Sequence, residues 1–220
     1  MRRSFPTIFP LMPKSSTLSK PLALLAALAL CLGGFAGTAR AFSTVVVDPG
    51  HGGQDRGGIP GQRIAEKTMT LDVGLRLQKL LQTAGYNVVM TRTDDTFIPL
   101  PDRCSIADRA GDAIFVSIHF DAYRASHADG VTTIYYTGGR SKSLAWAVHR
   151  CLIRRLKPDT DRGVQSHCLF VLHHNRWPCI LVEGGYLTSP AEGQKILDPA
   201  YRQQIAQAIA DGIADYAKDE

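Results

Sequence analysis

From residue 42 onward, short β-branched runs alternate with longer segments of helical period. This alternation constrains the fold more than any other feature, because it marks strands laid in one sheet and packed by the helices between them. Thr44 to Val47, Tyr86 to Thr91, Ala113 to Ile118, Val131 to Tyr136, Cys168 to Leu172 and Cys179 to Glu183 read as strands. Several are apolar almost throughout, as strands covered on both faces must be. Val73, Leu77, Leu80, Leu81 and Ala84 recur at helical spacing with Gly85 as a C-cap, which predicts a helix from about Lys67 to Ala84. A second helix runs from Ser141, an N-cap residue, through Leu144, Val148, Cys151 and Leu152, and must stop before Pro158. Asp102 to Ala110 reads as a shorter helix, and a last one from about Ala200 to Tyr216 places Ile205, Ile209, Ile213 and Tyr216 on one face. The expected fold class is α/β: a single domain with a twisted, mostly parallel or mixed sheet of about six strands and helices on both faces.

Met1 to Ala41 read as a leader instead of as part of the fold. Arg2, Arg3, Lys14 and Lys20 give a basic start, Leu22 to Leu32 form an unbroken apolar run, and Ala39-Arg40-Ala41 has the small-x-small form of a cleavage site. Eleven apolar residues fall short of the roughly 20 that span a bilayer, so cleavage after Ala41 is expected in place of a membrane anchor. Arg2-Arg3 also resembles a twin-arginine signal, and the general secretory route stays equally open. The mature domain is then residues 42–220, in a periplasmic or extracellular location. The leader carries five basic and no acidic residues, so the chain's 25 Lys and Arg fall to 20 against 20 Asp and Glu. The formal charge of +5 thus belongs to the leader, and no basic tract remains to suggest nucleic acid. Cys104, Cys151, Cys168 and Cys179 show no C-x-x-C spacing; in an exported chain they could pair as disulfides or stay as buried thiols.

Three predicted strands end in residues able to bind metal or move protons. Thr44 to Val47 leads into Asp48-Pro49-Gly50-His51-Gly52-Gly53, Ala113 to Ile118 ends at His119, and Cys179 to Val182 ends at Glu183. Ligand sites of open α/β sheets gather at the carboxyl ends of strands, so the three ends can share one crevice. The glycines around His51 leave room for a ligand beside the imidazole and offer little apolar packing. Glu66 opens the long helix, where a carboxylate also suits the helix dipole; position alone favours that plainer role. Two imidazoles and a carboxylate make a typical catalytic zinc set, whereas magnesium or calcium prefers an all-oxygen shell; the residue types alone leave other first-row metals open. Glu183 follows an apolar run that would raise its pKa by desolvation, which suits a base that later acts as acid; a buried ion pair with an arginine is the alternative. Asp48 and Asp55 flank His51 and could orient its ring. Arg92, Arg103 and Arg109 read as structural. His173-His174 could line a groove or a solvated loop, Trp177 could stack on a sugar or simply pack, and His127, His149 and His167 read as surface, helix and loop residues.

Val45 to Gly53, Glu66-Lys67, Thr91-Arg92, Leu100 to Arg103, Ser117-Ile118-His119 and Val182 to Thr188, taken in order, resemble the zinc-dependent N-acetylmuramoyl-L-alanine amidase family, whose catalytic domain is called Amidase_3. The match in order and spacing runs from about Ser43 to Ala217. The resemblance implies Zn2+-dependent hydrolysis of the bond between N-acetylmuramic acid and L-alanine in peptidoglycan. It places the metal ligands on His51, Glu66 and His119 and the catalytic glutamate on Glu183, deciding the role that position alone left open for Glu66. Phe120-Asp121-Ala122 stands where Ala-Asn-Ala is frequent, and Thr188-Ser189 where an asparagine is common, so substrate contacts are expected to differ. Some relatives carry an autoinhibitory helix after the strand of the second ligand histidine. Here Val131 to Tyr136 and Ser141 follow His119 too closely for one, so a monomer needing no obligatory activator is expected. Another zinc amidohydrolase or peptidase, or a non-catalytic peptidoglycan-binding domain, are the alternatives.

Overall fold

The structure, a computed structural model, describes residues 41–124 and 128–219 together with Met1. The expected leader lies almost wholly outside the described residues, as does His127. The elements follow in the order β1 (Thr44–Pro49), α1 (Glu66–Thr83), β2 (Asn87–Met90), α2 (Leu100–Ala110), β3 (Ala113–Asp121), β4 (Val131–Tyr135), α3 (Arg140–Leu156), β5 (Asp161–Ser166), α4 (Phe170–His173), β6 (Cys179–Tyr186), α5 (Pro190–Leu197) and α6 (Pro199–Asp219). They build one six-stranded sheet in the order β2-β1-β3-β6-β4-β5. The first four strands run parallel; β4 is antiparallel to β6, and β5 is parallel to β4.

Alternation along the central strands divides the core between the two faces. Val45, Val47, Val116, Ile118, Ile180 and Val182 pack against Val73 and Leu77 of α1, Leu144 and Val148 of α3, and Ile205, Ile209 and Ile213 of α6. Val46, Phe115 and Leu181, one position out of phase, pack against Cys104 and Ala107 of α2 and Leu172 of α4. Each such side chain contributes roughly 1.5–3 kcal/mol by leaving water, and the two layers fix which way every strand faces. The expected architecture, a mixed sheet of six strands with helices on both faces, is the one found.

Three local expectations need correction. Cys168 to Leu172 is not a strand: Phe170–His173 forms one helical turn that lowers Val171 and Leu172 into the second core. The sixth strand is instead Asp161–Ser166. It lies at the sheet edge with no fully buried residue, so it carries no apolar run to announce it. Ser141 is not an N-cap, since Gly139 precedes the helix; the Ser141 Oγ accepts from the Cys179 N–H at 3.1 Å and ties α3 to the start of β6. A further helix, α5, was not expected, although Ser189 with Pro190 and Glu192 carries the sequence of a helix start.

Candidate metal centre and active site

Because β1, β3 and β6 are adjacent and parallel, their carboxyl ends emerge side by side at one edge of the sheet. The chain moves from β1 outward to β2 and then back across to β3, so a crevice opens between β1 and β3 at the reversal of strand order. Pro49 pairs with Ile118 there, which sets Gly50-His51 beside His119. The next strand places Glu183 in register with His119.

Glu66, the first residue of α1, closes the set. Its Oε2 lies 3.0 Å from His51 Nε2 and its Oε1 2.9 Å from His119 Nδ1, while Oε1 also accepts from the Phe120 N–H at 3.0 Å. The donor atoms of His51, Glu66 and His119 all fall within 4.8 Å of one another. The Glu66 side chain is 4% exposed against 20% and 21% for the imidazoles, so the open side of the cluster is the histidine side. Burial alone would raise the Glu66 pKa, but hydrogen bonds and charge from the two rings overcome it and hold the carboxyl at about 2. Its plainer role as a helix-start carboxylate survives only in its position; the side chain turns into the crevice.

The loop between β1 and α1 is shaped around these rings. Gly50 has no room for a side chain, since a Cβ there would lie 2.3 Å from the His119 ring. At Gly57, with φ of +70°, a Cβ would meet Glu66 Oε2 at 2.5 Å. His51 itself adopts φ of 62°, a conformation that costs a non-glycine residue about 1–3 kcal/mol and persists only where its surroundings enforce it. Two buried arginines supply that enforcement. Arg92 donates to the carbonyls of Pro49 at 2.9 Å and Gly50 at 2.8 Å, and Arg103 donates to those of Pro49 at 2.9 Å and His51 at 2.7 Å. Both were read as structural, and this is the structure they serve. Arg109 instead lies exposed on α2.

Asp55 and Asp48 part company. A tight exchange of backbone hydrogen bonds between Gly52 and Asp55 brings the Asp55 Oδ2 to 2.8 Å from His51 Nδ1. That contact leaves Nε2 as the free ring nitrogen facing Glu66. Asp48 does not touch the ring; it accepts from Thr91 at 2.6 Å, Arg103 at 2.7 Å and Ser117 at 2.7 Å beneath the loop.

Glu183 is partly exposed as a residue, yet its Oε2 is fully enclosed and has no hydrogen-bond partner among the described residues. No arginine among the described residues pairs with it, so the ion-pair alternative finds no partner there. Burial, followed by the charges of Glu66 and Asp121, pushes its pKa well above the usual carboxylate range.

The remaining sequence candidates lie elsewhere. The His173 ring packs on Tyr136, just beyond β4, and His174 stacks on Phe170 at 4.1 Å. Because β4 runs antiparallel to β6, that cluster sits at the opposite end of the sheet from Glu183 and lines no part of the crevice. Trp177 packs in the second core and donates from Nε1 to the Ala107 carbonyl at 2.9 Å. His149 is buried between Thr133 and Asp161, and His167 is exposed beside Gln165. The four cysteines of the described domain are free thiols, with only Cys168 exposed.

Two hollows flank the cluster. One of about 570 Å³ lies over His51 and Asp55, bordered by the loop from Arg56 to Gln62. That loop is shared with a groove of about 890 Å³ between Ile64, Thr68 and Met69 on one side and Tyr123, Arg124 and Leu187 on the other. These walls gave no sequence signal of their own, because they come from loop residues whose proximity is decided only by the sheet.

Residues 45–215 match the family of N-acetylmuramoyl-L-alanine amidases, Amidase_3. The chain is 38% identical over 175 residues to the probable cell wall amidase LytH of Staphylococcus epidermidis, covering 79% of this chain and 58% of that protein. It is 35% identical over 176 residues to N-acetylmuramoyl-L-alanine amidase LytC of Bacillus subtilis, covering 79% of this chain and 35% of that protein. The chain thus spans just over half of the first relative and about a third of the second. Its fold is similar to that of the N-acetylmuramoyl-L-alanine amidase of Clostridium difficile 630, with a TM-score of 0.77 and 36% identity over 82% of this chain and 99% of that one. The catalytic domain of CwlV from Bacillus (Paenibacillus) polymyxa gives 0.76 and 33% over 81% and 99%. A sheet whose parallel ends gather two histidines and two glutamates, and a sequence that matches across nearly all of that sheet, agree: the chain belongs to the N-acetylmuramoyl-L-alanine amidase family.

Proposed function

We propose that the protein is an exported, zinc-dependent amidase that hydrolyses the bond between the lactyl group of N-acetylmuramic acid and the L-alanine of the peptidoglycan stem. The observation that carries this reading is the convergence of His51, Glu66 and His119 donor atoms within 4.8 Å, beside an enclosed and unpartnered Glu183 oxygen. Two imidazoles and one carboxylate suit zinc, and the set leaves the cation room for further ligands. Zinc held there supplies Lewis acidity, polarising the scissile carbonyl and acidifying a water.

The other roles fall to the chain. Asp55 holds the His51 tautomer that turns Nε2 toward the centre. The Phe120 N–H fixes the rotamer of Glu66. Glu183, whose enclosed oxygen binds a proton more tightly than an ordinary carboxylate, takes one from the attacking water and delivers it to the amide nitrogen. The water oxygen bonds to the carbonyl carbon, the carbon–nitrogen bond breaks, and a lactyl carboxylate and a free L-alanine amine leave. The groove beside the centre, with Arg63 and Arg124 on its walls, suits a peptide that bears carboxylates.

The leader at residues 1–41 and the names of the relatives support a cell-envelope location. The mature part, residues 42–220, is read as a monomer, and as needing no activator because only nine residues join β3 to β4 and leave no room for an inserted helix. No helix among the described residues is long and apolar enough to cross a membrane. Incubating the purified mature chain with N-acetylmuramoyl peptides tests the whole reading: intact stem peptide with a free L-alanine amino end must appear, and cease with a chelator. Cleavage inside the peptide would favour a zinc peptidase, and no cleavage with retained binding a wall-binding domain.

A further inference from the structure

Tyr123, which lines the large groove, also borders a smaller hollow of about 380 Å³ together with Ala128, Arg162 and Tyr186. Arg162 is the second residue of β5, and its backbone is held two strands from Glu183, because Asp161 pairs with Val131 on β4 and Thr132 pairs with Glu183. That is roughly 10 Å of sheet. The side chain bends back across the gap: its guanidinium lies over the Tyr186 ring, 4.8 Å from the centroid, on the same strand as Glu183. Its Nε donates to the Asp129 carbonyl.

Those contacts leave both terminal amino groups of Arg162 without a hydrogen bond or an acidic partner among the described residues. Such a group is unusual for a half-buried arginine, which ordinarily pairs its fork with a carboxylate. Asp121, which bonds the hydroxyl of the Tyr186 ring beneath the guanidinium, is engaged already, by that hydroxyl and by the Ala122 N–H at 2.7 Å. The floor is also rigid, since Glu192 accepts from the N–H groups of Tyr186 at 2.7 Å and Gly130 at 2.9 Å. A cationic fork laid on an aromatic shelf, on the strand that also carries the proposed proton-transfer residue, has the chemistry to receive a substrate carboxylate.

We infer that Arg162 binds the free carboxylate of the acidic residue that follows L-alanine in the peptide stem, and so sets a preference for stems in which that carboxylate is not amidated. The inference rests on the amidase reading above. A residue two positions beyond the scissile amide lies about 7 Å along an extended chain, a span comparable with the two-strand spacing between Glu183 and Arg162, which the Arg162 side chain shortens by leaning over Tyr186.

The test compares two substrates in which the glutamyl γ-carboxyl is joined to a third residue, N-acetylmuramoyl-L-alanyl-γ-D-glutamyl-L-lysine and the counterpart amidated at the glutamyl α-carboxyl, on the wild-type chain and on R162Q and R162K. Wild type should favour the acid by about tenfold or more in kcat/KM, the worth of a charge-assisted hydrogen bond, and the preference should sit in KM. R162Q should lose the preference by raising KM for the acid alone, and R162K should keep part of it. Equal use of the two substrates by wild type overturns the inference and leaves the amidase reading intact. An R162Q variant that weakens both substrates equally assigns Arg162 a purely structural part and overturns it as well. A chain that cleaves neither substrate removes the amidase reading itself, and this inference with it.

Discussion

At the scale of single residues, Glu183 and Asp55 should separate chemistry from metal binding. E183Q keeps the size of the side chain and removes its proton transfer, so turnover should fall by about 10²–10⁴ while bound zinc, measured by elemental analysis, stays stoichiometric. Loss of metal together with activity would make Glu183 a ligand instead. The same substitution has a consequence for stability in the metal-free protein. The folded carboxyl holds its proton to higher pH than the same group in the unfolded chain, because it is enclosed and faces Glu66 and Asp121. Folded and unfolded states are both protonated well below about pH 4, so Glu183 then imposes no penalty. As pH rises past that point the unfolded chain releases the proton first, and stability is lost until the folded group also ionises. Relative to wild type, metal-free E183Q should therefore become progressively more stable as pH rises above about 4; a stability difference that does not change with pH there would sink the argument. Asp55 acts through His51, so D55A should weaken zinc about 10- to 100-fold in competition with a chelator, with far-UV circular dichroism unchanged.

At the scale of elements, the fold positions the site through the loop that leaves β1, and its anchor is the buried pair of Arg103 and Asp48 at 2.7 Å. Replacing Arg103 with leucine would strand the Asp48 carboxylate in the interior and free the carbonyls of Pro49 and His51. A cost of about 3–5 kcal/mol is expected in urea denaturation, with zinc affinity falling in parallel because His51 would relax from its left-handed conformation. How much of this was legible follows the same division. The central strands announce themselves because both faces are buried, so apolar run and strand coincide. Edge strand β5 carried no such run, and the apolar Cys168 to Leu172 segment competed for its place although it fills the core from a helical turn. Strand ends supplied His51, His119 and Glu183 from sequence logic alone. Glu66 stayed ambiguous, since a helix start explains a glutamate whichever way its side chain turns, and Arg162 gave no signal because its significance lies in a shelf made by another strand.

At the scale of the molecule, the candidate metal centre sits at the edge of a framework held by two apolar cores. Both core layers lie beneath the crevice, and the loop carrying His51 is tied down by Arg92 and Arg103 through its backbone carbonyls. Glu66 lies within 3.0 Å of both imidazoles, and the elements that present the three side chains rest on the two apolar cores. This is the opposite of a small zinc module that unfolds when stripped. Chelation should leave secondary structure intact and the change should reverse on adding zinc back. Mass action alone then sets the thermal effect: zinc at a free concentration 100 times its Kd stabilises the fold by about 2.7 kcal/mol. For a domain of this size that corresponds to a rise of about 5–11 °C in Tm. A chelated chain that loses its circular dichroism, or one whose Tm is indifferent to zinc while activity returns, would contradict a preformed site in which the metal binds the folded state alone.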